Sequence, residues 1–181
     1  VDAVTPRAHA VVLASSKTLP EMRALAERCR VRPVLVFENG AGLALPDEGA
    51  EGGFRVQRRG PGYERLRALL EDLRDREGFA FRGFGDMDPD EVARRTGLSP
   101  DDARTARARG ATEPLVWEDA PERLDAFRAR LVAHDLTLLR GGRFVHVMPQ
   151  VDKADGVADA RSALGAGAAR LIGCGDAPND L

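Results

Sequence analysis

Leu171-Ile172-Gly173-Cys174-Gly175-Asp176-Ala177-Pro178-Asn179-Asp180-Leu181 is an apolar run that meets a glycine and then delivers two carboxylates. Leu171 and Ile172, with the small Gly173 and Cys174, have the character of a buried strand. Gly175 lets the backbone turn sharply, which puts Asp176 at that strand's carboxyl end. In an open α/β sheet this is the edge where ligands bind. A turn opening a helix would bring Asp176 and Asp180 to one mouth, where paired carboxylates suit a hard cation such as magnesium. The alternative is a solvated acidic turn, since Asn, Asp, Gly and Pro are also the residues of ordinary turns.

Working outward, Ala10-Val11-Val12-Leu13-Ala14-Ser15 is a continuous apolar run of the kind that makes a buried parallel strand, and it ends on a hydroxyl. Ser15 therefore stands at a carboxyl edge as Asp176 does. Thr18 caps a helix over about 18–29, with Met22, Leu25, Ala26 and Cys29 on its apolar stripe. Pro33 to Glu38 reads as a second buried strand, so strand, helix and strand form a βαβ-like unit. Glu38-Asn39-Gly40-Ala41-Gly42 reads as a turn held by Asx bonding.

From Asp47 the character changes. Phe54 to Arg58 alternates like a half-exposed strand, and 62–76 is a helix with Leu66, Leu69, Leu70 and Leu73 inward and charges outward. Further strands are expected at 79–84, 113–118, 136–140 and 143–147, with helices at 89–96, 100–109 and 121–133. Gly141-Gly142 reads as a tight hairpin with Arg143 beside its tip. Asp152-Lys153 then opens a helix with Val157, Ala160 and Leu164 on one stripe.

Composition narrows the function. Hydrophobic residues make up 43% and charged residues 31%, the balance of a globular protein. A net charge of −2 leaves no basic excess for a nucleic-acid backbone. No window has the apolar length of a membrane span, so no membrane partner is expected, and the two cysteines, Cys29 and Cys174, read as free thiols of a cytoplasmic protein. Of the 27 basic residues only Lys17 and Lys153 are lysines. Their survival among arginines marks positions where a compact ammonium is wanted. A hydroxyl donor (Ser15), an ammonium (Lys153) and a metal-binding carboxylate (Asp176) are the groups that transfer of a phosphoryl group calls for, because that chemistry is mostly positioning and charge neutralisation. The helix after Ser15 would add the dipole of its amino terminus.

Ser15 after an apolar strand, Lys153 at a helix start and Gly175-Asp176-Ala177-Pro178-Asn179-Asp180 resemble three motifs of the haloacid dehalogenase (HAD) superfamily. Ala14-Ser15-Ser16-Lys17-Thr18, Glu38-Asn39-Gly40-Ala41, Gly85-Asp86-Met87, Glu113-Pro114-Leu115 and Gly141-Gly142-Arg143-Phe144 resemble, within it, the mannosyl-3-phosphoglycerate phosphatase family. The resemblance implies an α/β fold with a Rossmann-like HAD core, a parallel sheet flanked by helices, contributed by 1–46 and 148–181, and an inserted α+β cap at 47–147. It implies a Mg²⁺-dependent phosphatase that takes a small phosphorylated sugar acid and releases a compatible solute such as mannosylglycerate. Ser15 would bond the phosphoryl group and Lys153 would neutralise it. Asp176 and Asp180 would serve the metal, with Asn179 orienting ligands. Ser16, Lys17, Arg109 and Arg143 would meet the substrate, whose carboxylate needs cations.

The superfamily's nucleophile, the first aspartate of Asp-x-Asp-Gly-Thr, has no counterpart in this sequence. The expectation is therefore a chain truncated at both ends, inactive alone, with its nucleophile elsewhere. Another sugar-phosphate phosphatase of the superfamily and a binding protein that has lost its catalysis are the competing readings. The sugar and the oligomeric state are not legible.

Overall fold

The computed structural model describes residues 9–167 and 170–175. They divide into two compact units, one of residues up to Gln57 and from Val151 on, the other spanning Arg58–Gln150.

In the first unit β1 (Val12–Ala14), α1 (Leu19–Glu27) and β2 (Val34–Phe37) form the expected βαβ element, β1 lying parallel to β2 with Leu13 opposite Leu35. β2 is apolar at every position because both its faces are covered. Leu35 and Phe37 pack with Leu19, Met22 and Ala26 of α1, while Val34 and Val36 pack with Ala160 of α6 (Lys153–Ala163). Full burial of side chains this size contributes about 1.5–3 kcal/mol each. After a 3-10 turn at Glu38–Gly40, β3 (Gly42–Pro46) returns antiparallel along β2, and β4 (Phe54–Arg58) completes the order β1-β2-β3-β4.

Two expectations change here. Phe54–Arg58 was assigned to the middle module, yet Phe54 and Val56 pack on the α1 cluster. The strand therefore closes the first sheet, and the first unit reaches Gln57. The second change concerns 171–174. Residues 170–175 hold no regular structure, and Leu171 and Ile172 are 59% and 78% exposed, so no buried strand forms there. A strand needs ladder partners, and among the described residues β1, the edge of its sheet, pairs with β2 alone. The α6 stripe also shifts: Gly156 and Ala160 are buried and Leu164 is 40% exposed.

The second unit begins with α2 (Tyr63–Glu77) and builds an antiparallel sheet in the order β5-β6-β8-β7, from β5 (Phe81–Gly83), β6 (Glu113–Trp117), β7 (Leu136–Arg140) and β8 (Val145–Pro149). Leu66, Leu70 and Leu73 of α2 join Leu124, Phe127 and Leu131 of α5 (Arg123–Val132) over Phe81, Leu115, Leu136 and Val147. α3 (Pro89–Thr96) and α4 (Pro100–Arg107) form a separate cluster around Val92, Ala103 and Ala106, to which Val116, the sequence neighbour of Leu115, is packed. The β7–β8 hairpin is wider than two glycines would make it. Arg140 pairs with Val145, and the Gly141 N–H donates to the Phe144 carbonyl at 2.9 Å, leaving Arg143 within the loop.

Candidate active site

The carboxyl edge of the first sheet is built from three pieces. The first is the loop after β1. The Ser15 N–H donates to the Val36 carbonyl at 2.9 Å, and Ser15 Oγ accepts from the Lys17 N–H at 3.3 Å, so the loop curls back over the strand end. Thr18 then starts α1 with a capping box. Its N–H and Oγ1 donate to Glu21 Oε2 at 2.8 and 3.0 Å, and Oγ1 accepts from the Glu21 N–H at 3.4 Å. Glu21 thereby occupies donors of the helix terminus that the sequence reading offered to a phosphate, and it also takes Lys17, whose Nζ lies 3.1 Å from Glu21 Oε1. The spacing Thr18-x-x-Glu21 was the available signal.

The second piece is the turn after β2, where Glu38, Asn39 and Gly40 all have positive φ, at 50°, 58° and 95°. A non-glycine residue held there costs on the order of 1 kcal/mol or more. The turn persists because it is tied down: the Glu38 N–H donates to the Lys17 carbonyl at 2.8 Å and the Asn39 N–H to the Ser15 carbonyl at 3.0 Å. Asn39 is 3% exposed, and its Oδ1 is buried without a hydrogen-bond partner among the described residues. A polar atom so placed lacks something that a ligand or water can supply.

The third piece is the start of α6. Asp152 caps it, accepting from the Asp155 N–H at 2.9 Å. A Cβ on Gly40 would run into the Asp152 carbonyl, and one on Gly156 into Val36, so two glycines let the helix terminus sit against the turn. Ser15 is thus bonded through the Asn39 backbone to a turn whose next residue touches the backbone at Asp152 and Lys153. Ser15, Ser16 and Lys17 share one loop, and Lys153 begins the helix packed against the neighbouring turn.

Asp176, Asn179 and Asp180 lie outside the described residues. Within these, no three His, Cys, Asp or Glu side chains gather to hold a metal ion, and no described helix is long and apolar enough to cross a membrane.

Arg109 and Arg143 belong to the second unit. Arg143 donates from Nη1 and Nη2 to the carbonyls of Arg95 and Thr96 at 3.1 and 2.9 Å, capping the open end of α3. Arg109 donates from Nε to the Ala106 carbonyl at 3.0 Å and from Nη1 to Thr112 Oγ1 at 3.4 Å. Next to them is a network that sequence reasoning did not assemble. Fully buried Glu113 accepts from Tyr63 Oη at 2.8 Å, from the Gly85 N–H at 2.8 Å and from Arg67 Nη1 at 3.2 Å. Arg67 Nη2 reaches Asp86 Oδ1 at 2.6 Å, and Asp86 Oδ2 accepts from the Gly83 N–H at 2.7 Å. Burial pushes the Glu113 carboxyl up despite these donors. Burial also acts to raise Asp86, but the bond from Arg67 and then that from Gly83 outweigh it and hold Asp86 below the usual carboxylate range. A carboxylate opening an apolar strand was the signal, since such a residue is buried only with partners.

A sheet covered on both faces, joined to a second antiparallel α+β unit, gives a mixed α/β fold, and it is the HAD hydrolase fold with its Rossmann-like core. Several of the solved structures that the chain resembles are described as haloacid dehalogenase-like hydrolases or HAD-superfamily phosphatases. Over 86% of its residues the chain superposes on protein 0175 of Thermoplasma acidophilum with a TM-score of 0.58 and 18% identity. It superposes over 94% on BT1666 of Bacteroides thetaiotaomicron, described among phosphatases of the HAD superfamily (TM-score 0.59, 14% identity). It superposes over 91% on BT4131, a sugar phosphatase of HAD subclass IIB (TM-score 0.53, 12% identity). The chain spans 56%, 65% and 66% of the lengths of these three proteins. No protein-family model matches it.

Proposed function

We propose that the chain supplies the phosphoryl-binding edge of a Mg²⁺-dependent HAD phosphatase whose substrate is mannosyl-3-phosphoglycerate or a related glycosyl-3-phosphoglycerate. The observation that supports this reading is the close approach of α6 to the turn after β2, with Ser15 following β1 and Lys153 first in α6. The phosphatase descriptions of BT1666 and BT4131 support the reaction class.

In this reading Ser15 Oγ donates to a phosphoryl oxygen while Lys153 Nζ offsets its charge, the positioning and neutralisation on which phosphoryl transfer depends. Asn39 Oδ1 accepts from a substrate hydroxyl or from water. Ser16, Lys17, Arg109 and Arg143 serve the sugar acid. Asp176 and Asp180, with Asn179, would hold the magnesium ion, which supplies charge neutralisation when bound. The aspartate that accepts the phosphoryl group is not among these residues, because the sequence contains no Asp-x-Asp-Gly-Thr. That same observation favours the second reading, a ligand-binding protein of this fold without turnover. The unit made of residues up to Gln57 and from Val151 on would form the core and the unit Arg58–Gln150 its cap.

The test is phosphate release by the full gene product from mannosyl-3-phosphoglycerate and from a panel of sugar phosphates, with Mg²⁺. Release led by the glycosyl-3-phosphoglycerate, and reduced roughly a hundredfold or more by Lys153→Ala, is expected. Turnover of other sugar phosphates alone would replace the substrate, and binding without release would establish the second reading.

A further inference from the structure

We propose that the first unit carries a second anion site, at the amino ends of β2 and β4, built for a small phosphate ester. A cavity of about 530 Å³ opens there, bordered by the last turns of α1 and the first residue of β4. Arg23, Arg30 and Arg32 line it against one carboxylate, Glu27, and Pro33 and Phe54 add apolar wall. Ser15 and Lys153 stand at the opposite, carboxyl edge, so this cavity is not part of the phosphoryl site proposed above.

Arg23 is held in place yet largely unpaired. Its guanidinium lies against Gly52, where φ is +67° and a Cβ would come within 2.9 Å of Nη1, and 6.0 Å from the centroid of the Phe54 ring. Its Nη2 makes one long bond, 3.5 Å to the Glu51 carbonyl, and its Nε is buried with no hydrogen-bond partner among the described residues. A guanidinium offers five donors in a rigid fork matched to phosphate, and this one uses a single weak contact. Arg32 meets Glu48 only at 3.7 Å, with both side chains mostly exposed. Excess positive charge, a fixed fork and an apolar wall in a cavity of metabolite size define the ligand as a phosphate group on a compact organic body.

Cys29 lines the same cavity and reports on it. With Cys174→Ser it is the only thiol left, since the chain has two cysteines. Its rate of alkylation by iodoacetamide is then measured with inorganic phosphate and with phenyl phosphate. Phenyl phosphate is expected to slow alkylation several-fold, at a lower concentration than inorganic phosphate. Arg23→Gln and Arg32→Gln should each raise the protecting concentration roughly tenfold, as the loss of one charge-assisted contact would. Arg32 is exposed, so its variant keeps the test decisive if Arg23→Gln fails to fold. Lys153→Ala should leave protection unchanged, which separates this site from the carboxyl edge whatever becomes of the phosphatase reading. Alkylation indifferent to phenyl phosphate, protection intact in Arg32→Gln, protection lost in Lys153→Ala, or equal protection by inorganic phosphate would each overturn the proposal.

Discussion

Glu113 in the second unit and Asn39 in the first are both buried polar residues, and they differ in what meets them. Glu113 is surrounded: a phenol, a backbone amide and a guanidinium converge on its two oxygens. Asn39 sits in a left-handed turn, its Oδ1 without a partner among the described residues, between the Ser15 loop and the start of α6. A closed network specifies and rigidifies a fold, whereas an open, strained edge leaves bonding capacity for something else. The second unit is closed at Glu113, and the first is open at Asn39.

The largest effect that would break this contrast belongs to Glu113→Ala. It leaves Arg67 facing Asp86 and, at 3.4 Å, the more exposed Glu71, and strips the Tyr63 hydroxyl and the Gly85 N–H of their acceptor. Removing one member of a buried charged network costs about 3–5 kcal/mol. Trp117 is the only tryptophan and packs against the core of the same unit, its ring 5.2 Å from that of Phe127. Urea unfolding followed by its fluorescence should therefore shift to much lower denaturant. An unchanged midpoint would show that the network is not what holds this unit.

Gly40→Ala comes next. Alanine at φ 95° is strained, and its methyl would meet the Asp152 carbonyl, so α6 has to move off the turn. Strain and overpacking together predict a loss of about 2–3 kcal/mol. It should appear as faster hydrogen exchange at the first turn of α6 and the end of β2. Protection equal to that of the parent would mean that the helix start is not seated where the edge requires it.

How much of this was legible followed from range. The βαβ element could be read because its signals are local: a continuous apolar strand, a Thr18 cap, a second apolar strand. The antiparallel return of β3 and the place of β4 could not, because pairing depends on which face Phe54 and Val56 find. Leu171 and Ile172 failed as a strand for the same reason, since apolar character does not provide a ladder partner. Ser15 and Lys153 were read from their positions at element ends, and those positions hold, Ser15 following β1 and Lys153 opening α6. Glu21 was missed although its spacing from Thr18 was visible, and Asn39 was read as a turn residue in preference to a substrate contact. That its oxygen has no partner among the described residues is a property of packing.

The smallest effect concerns the one histidine that the second unit holds in a low-dielectric position. Burial, and then the charge of Arg109, push His146 down from 6.5 to about 4, and its Nδ1 is covered without a hydrogen-bond partner among the described residues. The folded state therefore binds fewer protons than the unfolded chain between those two values, and stability rises with pH across that window. His146 contributes its full share above about pH 6.5 and loses it as pH falls toward 4. Discounted for the partial exposure of the side chain, the loss is about 2 kcal/mol. Glu113 shifts in the opposite sense and Asp86 titrates below the usual range, so both act equally in parent and variant and cancel from the difference. Unfolding midpoints by Trp117 fluorescence at pH 7 and pH 4.5 should separate widely in the parent and less in His146→Leu, the parent losing stability relative to the variant as the pH is lowered. A constant gap between the two proteins would mean that solvent reaches the imidazole, and the second unit would then have an open polar position of the kind found at Asn39 in the first.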